Sequence, residues 1–235
     1  MDIQSYIAYD KELLLHLNGS DSLFGDGFMW VATSTYIWIP LGFMLLYVII
    51  KNNLPKEIIW TLIAIALVIT CADQISSGIC KPSFARFRPT QDPEIMYMVD
   101  IVNNYRGGRY GFISSHAANT FGVAVFVSLL IRNSLLTYVL FIWAALNAYS
   151  RIYLGVHYPG DILFGTLVGC LVGWGVYILH QFIRKRLYSP NKYISKQYTS
   201  SGYLIDDVYL LINTFIISCL SITILGIITT YILYL

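Results

Sequence analysis

The chain has 235 residues, 57% apolar and only 12% charged, with a net charge of +2 and a mean hydropathy of +0.62. A soluble domain carries about 25% charged and about 45–50% apolar residues. The composition therefore excludes an ordinary soluble domain and points to a chain integral to a membrane, with no nucleic-acid partner expected. Cys71, Cys80, Cys170 and Cys219 form no C-x-x-C pair and no disulfide framework. They read as small apolar packing residues, with Cys80 set apart by its basic neighbour Lys81.

In chain order, the N-terminus lacks the basic start and apolar core of a cleavable signal peptide and carries Asp2, Asp10, Lys11 and Glu12. Ile3, Tyr6, Ile7, Leu13, Leu14 and Leu17 recur at helical spacing. They predict an amphipathic helix within residues 1–20, stopped at Asn18-Gly19. It either lies in the bilayer interface or packs on the bundle; the pattern fits both.

Crossing a bilayer takes roughly 20 apolar residues in a helix. Six segments qualify: Phe28–Ile50, Ile58–Ile79, Ser115–Ile131, Leu135–Ser150, Ile162–Ile183 and Val208–Leu235. The third and fourth are short. The expected fold is all-α, a bundle of about six transmembrane helices plus the N-terminal interfacial helix. Two connections are short, Lys51–Lys56 and Arg132-Asn133. Ser189–Tyr203 reads as a solvated loop.

Charge sets the orientation. With six spans, one side holds Lys51, Lys56, Arg132, Arg184, Lys185, Arg186, Lys192 and Lys196 against Glu57, Asp206 and Asp207. The positive-inside tendency makes that side cytoplasmic and both termini outward. His180 and His16 read as packed or interfacial histidines.

Three polar clusters then fall on the outward side: Lys81–Pro89 after the second span, Ile113–Gly122 opening the third, and Ser150–Asp161 between the fourth and fifth. Lys81, Arg88 and Arg151 make a cationic pocket. Arginine forks match phosphate oxygens and lysine adds a point charge. Ser114 and Ser115 sit at a helix N-terminus, whose free N–H groups favour anions. His116 and His157 can give and take protons near neutral pH. Asp161 can bind one imidazole N–H of His157 and leave the other nitrogen free to attack. Pro159 suits a first helical turn. H-x-x-x-D spacing could also hold zinc, but the surrounding cations would repel a metal.

These residues resemble the three-part signature of the type 2 phosphatidic acid phosphatase (PAP2) superfamily of membrane lipid phosphatases. K-x6-RP is matched by Lys81, Arg88 and Pro89. P-S-G-H is matched by Ser114 and His116. S-R-x5-H-x3-D is matched in full by Ser150, Arg151, His157 and Asp161. Ile113 replaces the family's proline and Ser115 its glycine. The resemblance implies a metal-free, cofactor-free phosphohistidine route. In it His157 attacks phosphorus, Asp161 orients His157, and His116 protonates the leaving oxygen and later activates water. Lys81, Arg88, Arg151, Ser114 and Ser115 bind the phosphate.

Hydropathy and charge divide the chain into the interfacial helix 1–20, a catalytic core 28–183, a cytoplasmic loop 184–207 and an accessory span 208–235; the resemblance covers the second to the fifth span. It further implies a multi-pass protein of the bacterial inner membrane acting on a lipid phosphate at the periplasmic face. Lipid A, including its 4′-phosphate, is the leading substrate, with undecaprenyl pyrophosphate or phosphatidylglycerol phosphate as alternatives. A transporter is the rival of another class, and a phosphotransferase the rival within the family. The oligomeric state is not encoded in these motifs. Two readings stay open for Arg86, Arg106 and Arg109, headgroup contact or a solvated loop. Asp73 is expected to pair with a polar neighbour inside the bundle.

Overall fold

The computed structural model describes residues 2–187 and 196–234. Eight helices organise it: α1 (Ile3–Leu17), α2 (Leu23–Ala32), α3 (Ile39–Asn52), α4 (Pro55–Phe84), α5 (Ser115–Ile131), α6 (Ser134–Tyr153), α7 (Pro159–Leu187) and α8 (Ile205–Tyr234). Among the described residues the other pairings are two isolated antiparallel bridges, Phe87–Tyr110 and Tyr198–Leu204. The fold is thus all-α, as the hydropathy pattern predicts. Among the described residues, five stretches are long and apolar enough to cross a membrane: Thr35–Asn52, Pro55–Phe84, Ser134–Tyr153, Pro159–Arg186 and Ile205–Ile232. The helix Ser115–Ile131 is apolar but has only 17 residues.

Helix ends follow local chemistry. Asn133 Oδ1 accepts the Leu136 N–H at 2.9 Å and starts α6. Pro55 and Pro159 open α4 and α7, where a missing N–H costs nothing. Arg132 takes the left-handed conformation that ends α5.

Two expectations need correction. The first expected span, Phe28–Ile50, is not one helix. It breaks after Ala32, passes a short 3-10 turn at Thr35–Trp38, and resumes as α3. Trp38 Nε1 donates to the Ala32 carbonyl at 2.9 Å, which satisfies a backbone group freed by the break. The expected solvated loop Ser189–Tyr203 lies partly outside the described residues, as does Lys192. Its described end is docked: Tyr203 is buried, and Ser201 Oγ donates to the Ile131 carbonyl at 2.6 Å.

Apolar surface alone gives little drive for helices to associate in lipid, so close packing of small residues matters more. Gly165, Gly169 and Gly173, spaced four residues apart, form a stripe along α7. A Cβ on any of them would strike a main-chain carbonyl of α5's edge or body, at Ser114, Ala118 and Gly122 respectively. The stripe lets the two backbones touch and sets the depth at which the N-terminus of α5 meets that of α7. Around this pair sits the main core, with Val68, Phe126, Val127, Ile131, Leu136 and Leu211 buried. A smaller cluster of Leu14, Ile95, Val99, Ile152 and Tyr158 lies under α1.

Candidate active site

His157 sits in the tight connection between α6 and α7. Gly155 turns the chain there with φ +66°, a conformation that favours glycine. The Val156 and His157 N–H groups both donate to the Arg151 carbonyl, at 3.1 and 3.2 Å. His157 is thereby folded back over the end of α6 and buried. Asp161, fully buried, occupies the first turn of α7. Its Oδ2 lies 3.4 Å from His157 Nδ1 and accepts the Tyr158 N–H at 3.0 Å. Its main-chain carbonyl accepts the Ser114 N–H at 3.0 Å. One residue therefore joins the second sequence cluster to the third.

The bridge between residues 86–88 and 109–111 brings in the first cluster. Arg88 N–H donates to the Arg109 carbonyl at 3.0 Å, and Gly111 N–H to the Arg86 carbonyl at 2.9 Å. Alternation along an extended segment puts Arg86 and Arg88 on one side and Phe87 on the other. A Cβ at Gly111 would lie 3.0 Å from Asp161 Oδ2 and 3.6 Å from His157 Nδ1; glycine lets this strand approach the His–Asp pair.

Three cations surround the pair. Arg88 Nε donates to the Tyr110 carbonyl at 3.1 Å. Arg151 donates from Nη1 to Thr33 Oγ1 at 2.7 Å and from Nη2 to the Tyr105 hydroxyl at 3.0 Å. Lys81 Nζ donates to Ser77 Oγ at 2.9 Å and Ser115 Oγ at 2.8 Å. All their partners are neutral oxygens. Among the described residues none of the three forms an ion pair. Arg88 Nη1 and Arg151 Nε are buried with no hydrogen-bond partner there. Buried donors left open in this way are costly, and a bound anion would satisfy them. Burial holds the His157 imidazole well below its ordinary pKa, and the charges of Arg88, Arg151 and Lys81 push the same way against a backbone hydrogen bond at Gly111. The ring is neutral at pH 7, with a lone pair free on one nitrogen.

His116, half-buried in the first turn of α5, lies within electrostatic range of Arg151, His157, Arg88 and Lys81. Ser114 is the N-cap of α5; its Oγ accepts the Ala117 N–H at 3.4 Å, and its hydroxyl proton remains available. Ser115 gives Lys81 an acceptor that the family's glycine could not. Ser150 Oγ donates to the Asn147 carbonyl at 2.7 Å inside α6. Every expected site residue thus belongs to one end of the bundle.

Other expectations resolve individually. Asp73 accepts from Ser77 Oγ at 3.2 Å, so Asp73, Ser77 and Lys81 form an i, i+4 relay through the π-helical stretch Gln74–Cys80 of α4. Such stretches recur at functional sites. Arg106 and Thr90 bond each other's main chain, and Arg109 lies over the Phe87 and Tyr110 rings; both brace the loop. His180 is buried and bonded to Thr61 at 3.2 Å, and His16 is exposed. The four cysteines are free and half-buried.

The sequence pattern does not single out Thr33 or Ser77, and it marks Tyr105 and Gly111 only as the ends of a basic, aromatic, glycine-rich piece of the outward loop. Its open question over Arg86 has a third answer: Arg86 Nη1 bonds Asp161 Oδ1 at 3.0 Å. Arginine two residues before Arg88, on the same side of an extended segment, was the available signal.

Comparison with known proteins identifies the family. The PAP2 superfamily model matches residues 60–185. A lipid A 4′-phosphatase of Bacteroides thetaiotaomicron is 43% identical over 77% of this chain and 80% of that protein. A lipid A 4′-phosphatase of Porphyromonas gingivalis is 37% identical over 77% of this chain and 76% of that protein. The crystal structure of Aquifex aeolicus LpxE superposes with a TM-score of 0.52 at 25% identity, covering 70% of this chain and 92% of that one. The chain belongs to the PAP2 superfamily and is a membrane-integral lipid phosphatase.

Proposed function

We propose that the chain hydrolyses a phosphate monoester of lipid A, the 4′-phosphate, through a phosphohistidine on His157. The observation that carries this is the set Lys81, Arg88 and Arg151, three cations around a neutral buried histidine, each bonded to neutral oxygens and none ion-paired among the described residues. Such a pocket suits a phosphoryl group with charge spread over three oxygens and repels a metal ion. The identity to two lipid A 4′-phosphatases supports the lipid and the position.

In this mechanism His157 Nδ1 faces Asp161, and Nε2 attacks phosphorus. The bond from phosphorus to the lipid oxygen breaks, and His116, protonated once the bound phosphate offsets the charge of the neighbouring cations, gives that oxygen its proton. Asp161 stabilises the imidazolium that forms. His116 then takes a proton from water, which attacks the phosphohistidine, breaks the P–N bond and releases inorganic phosphate. Lys81, Arg88 and Arg151, with the Ser114 and Ser115 hydroxyls, hold the equatorial oxygens in both steps. His157 and Asp161 lie at a helix junction, a depth that suits a headgroup whose acyl chains stay in the bilayer. The basic residues Lys51, Lys56, Arg132 and Arg184–Arg186 at the opposite end support a periplasmic orientation of the site in a bacterial inner membrane. The reading takes residues 1–235 as one membrane domain, with 28–183 as its catalytic core, 184–207 as a cytoplasmic loop and 208–235 as an accessory span.

The test is phosphate release by the purified chain, with chelator present, from lipid A, undecaprenyl pyrophosphate and phosphatidylglycerol phosphate in detergent micelles. Fastest release from lipid A is expected, with mass spectrometry placing the loss at the 4′ position. Release from another lipid alone, or loss of activity with chelator, overturns the proposal.

A further inference from the structure

The polar face of α1 does not point only to water. Two adjacent residues on it tether the connection that carries His157. Asp10 Oδ2 bonds Arg86 Nη2 at 2.7 Å, and Asp10 Oδ1 accepts the Gly160 N–H at 2.8 Å. Lys11 Nζ pairs with Asp92 Oδ2 at 2.8 Å, and the same Asp92 oxygen accepts the Tyr158 hydroxyl at 2.7 Å. The Arg86 guanidinium, held between Asp10 and Asp161, lies 4.0 Å from the centre of the Tyr158 ring. Residues 158, 160 and 161 are therefore all fixed, directly or through one intermediary, by α1.

We propose, resting on the phosphatase reading, that Asp10 is a positioning residue for the reaction, acting through Arg86 to keep Asp161 aligned on His157. The physical argument is competition for a fork. A guanidinium left with one carboxylate tends to take both its oxygens in a parallel pair of hydrogen bonds. Asp161 Oδ2 is needed elsewhere, by His157 Nδ1 at 3.4 Å and by the Tyr158 N–H at 3.0 Å. With Asp10 occupying Nη2, Arg86 reaches Asp161 only through Nη1 and only at Oδ1. Asp10 thus reserves Oδ2 for the nucleophile. It also satisfies a first-turn N–H of α7 that no helical carbonyl can reach, which fixes the turn carrying Asp161. The outward-lying α1 becomes part of the catalytic support and not only an anchor.

The experiment measures steady-state phosphate release by the full chain, with the lipid of the panel that wild type turns over fastest, for Asp10→Asn, Asp10→Glu, Arg86→Gln and the double variant Asp10→Asn/Arg86→Gln. Asp10→Asn keeps an oxygen for the Gly160 N–H and loses the ion pair. A fall in kcat of roughly tenfold is expected, since small misplacements of reacting groups are costly, with KM within about twofold because the phosphate-binding cations are untouched. Asp10→Glu should recover most of kcat. Because Asp10 acts through Arg86, the double variant should be no slower than Arg86→Gln alone. Wild-type kcat in Asp10→Asn, a loss confined to KM, or fully additive losses in the double variant would each overturn the inference. Such results with an active wild type leave the phosphatase reading standing; a wild type inert on every lipid sinks both.

Discussion

The two ends of the bundle both gather cations but use them differently. At the end away from the site, Lys51 meets Asp207 at 2.6 Å and Arg184 meets Glu57 at 3.1 Å. Asn52 adds a bond to Asp207 at 3.0 Å and accepts the Leu204 N–H at 2.8 Å. Those charges fasten α8 to α3 and α7 to α4. At the site end, Arg86 and Lys11 are paired in the same way, yet among the described residues Lys81, Arg88 and Arg151 bond only neutral oxygens. A cation held by hydroxyls and carbonyls keeps its charge uncompensated, which destabilises a fold and prepares it for an anion. The lesson is that the functional charges are recognised by what they lack. A count of basic residues would not separate the ends, and pairing alone does not either, since the exposed Arg132 also bonds neutral oxygens; at the site the open donors are buried.

The largest effect comes from removing the group that the unpaired cations surround. His157→Ala should lower phosphate release by at least about a thousandfold. The protein should still insert and unfold cooperatively in detergent, because Asp161 keeps Arg86 and the Tyr158 N–H as partners. Phosphate assay beside a thermal melt checks both, and full activity in the variant would remove the nucleophile assignment.

Next is a change that makes the site end resemble the opposite end. Thr33 Oγ1 lies 2.7 Å from Arg151 Nη1, so Thr33→Asp supplies the carboxylate that Arg151 lacks. A charge-assisted bond is worth about 1.5–3 kcal/mol, and phosphate would have to displace it or bind beside a like charge. KM should rise roughly tenfold or more, while Thr33→Ser stays near wild type. An unchanged KM for Thr33→Asp would mean that Arg151 does not meet the phosphate.

The pH dependence tests the buried histidine at the site end. His157 is depressed below its unfolded value of 6.5 by burial first and by Arg88, Arg151 and Lys81 next. The unfolded chain therefore binds a proton at this position that the folded chain refuses, and stability falls as pH drops through about 6.5. Activity, which needs the neutral ring, should not be lost at that same pH; its acid limb from His157 lies lower. Thermal melts in detergent between pH 7.5 and 5 should show the decline, and His157→Gln should make it shallower. Equal slopes in the two proteins would remove His157 as the cause.

Much of the site was legible because its residues are chemically out of place. A lysine, two arginines, two histidines and an aspartate near lipid need a reason, and alternating helices put their three clusters at one end. The rest was not legible for definite reasons. The break at Thr33-Ser34 lies in an apolar run, where hydroxyl side chains are common in spanning helices; Pro40 in the first turn of α3 was the one punctuation mark. Arg86 carries no local sign of Asp161, 75 residues away. Asp10 and Lys11 fit the polar face of an amphipathic helix, and that pattern cannot tell water from a half-buried arginine. The glycines 165, 169 and 173 carried a packing signal that hydropathy ignores, because glycine scores as neither clearly apolar nor polar.

The smallest effect on catalysis is expected where the opposite end is unpaired. Asp207 is 1% exposed and holds both Lys51 Nζ and Asn52 Nδ2. Asp207→Asn removes the charge and keeps most of the shape. Lys51, with its side chain 46% exposed, can turn to water, so the cost is that of a weakened hydrogen bond and not of a stranded cation, about 1 kcal/mol. The melting temperature should fall by a few degrees, and kcat and KM should stay within about twofold. Lys51 would then lack its carboxylate yet stay half exposed to water, unlike the buried open donors of Arg88 and Arg151. If Asp207→Asn lowered kcat tenfold without changing the melt, the two ends would be coupled through α3 and α8, and charge pairing would be part of the catalytic design and not only of the fold.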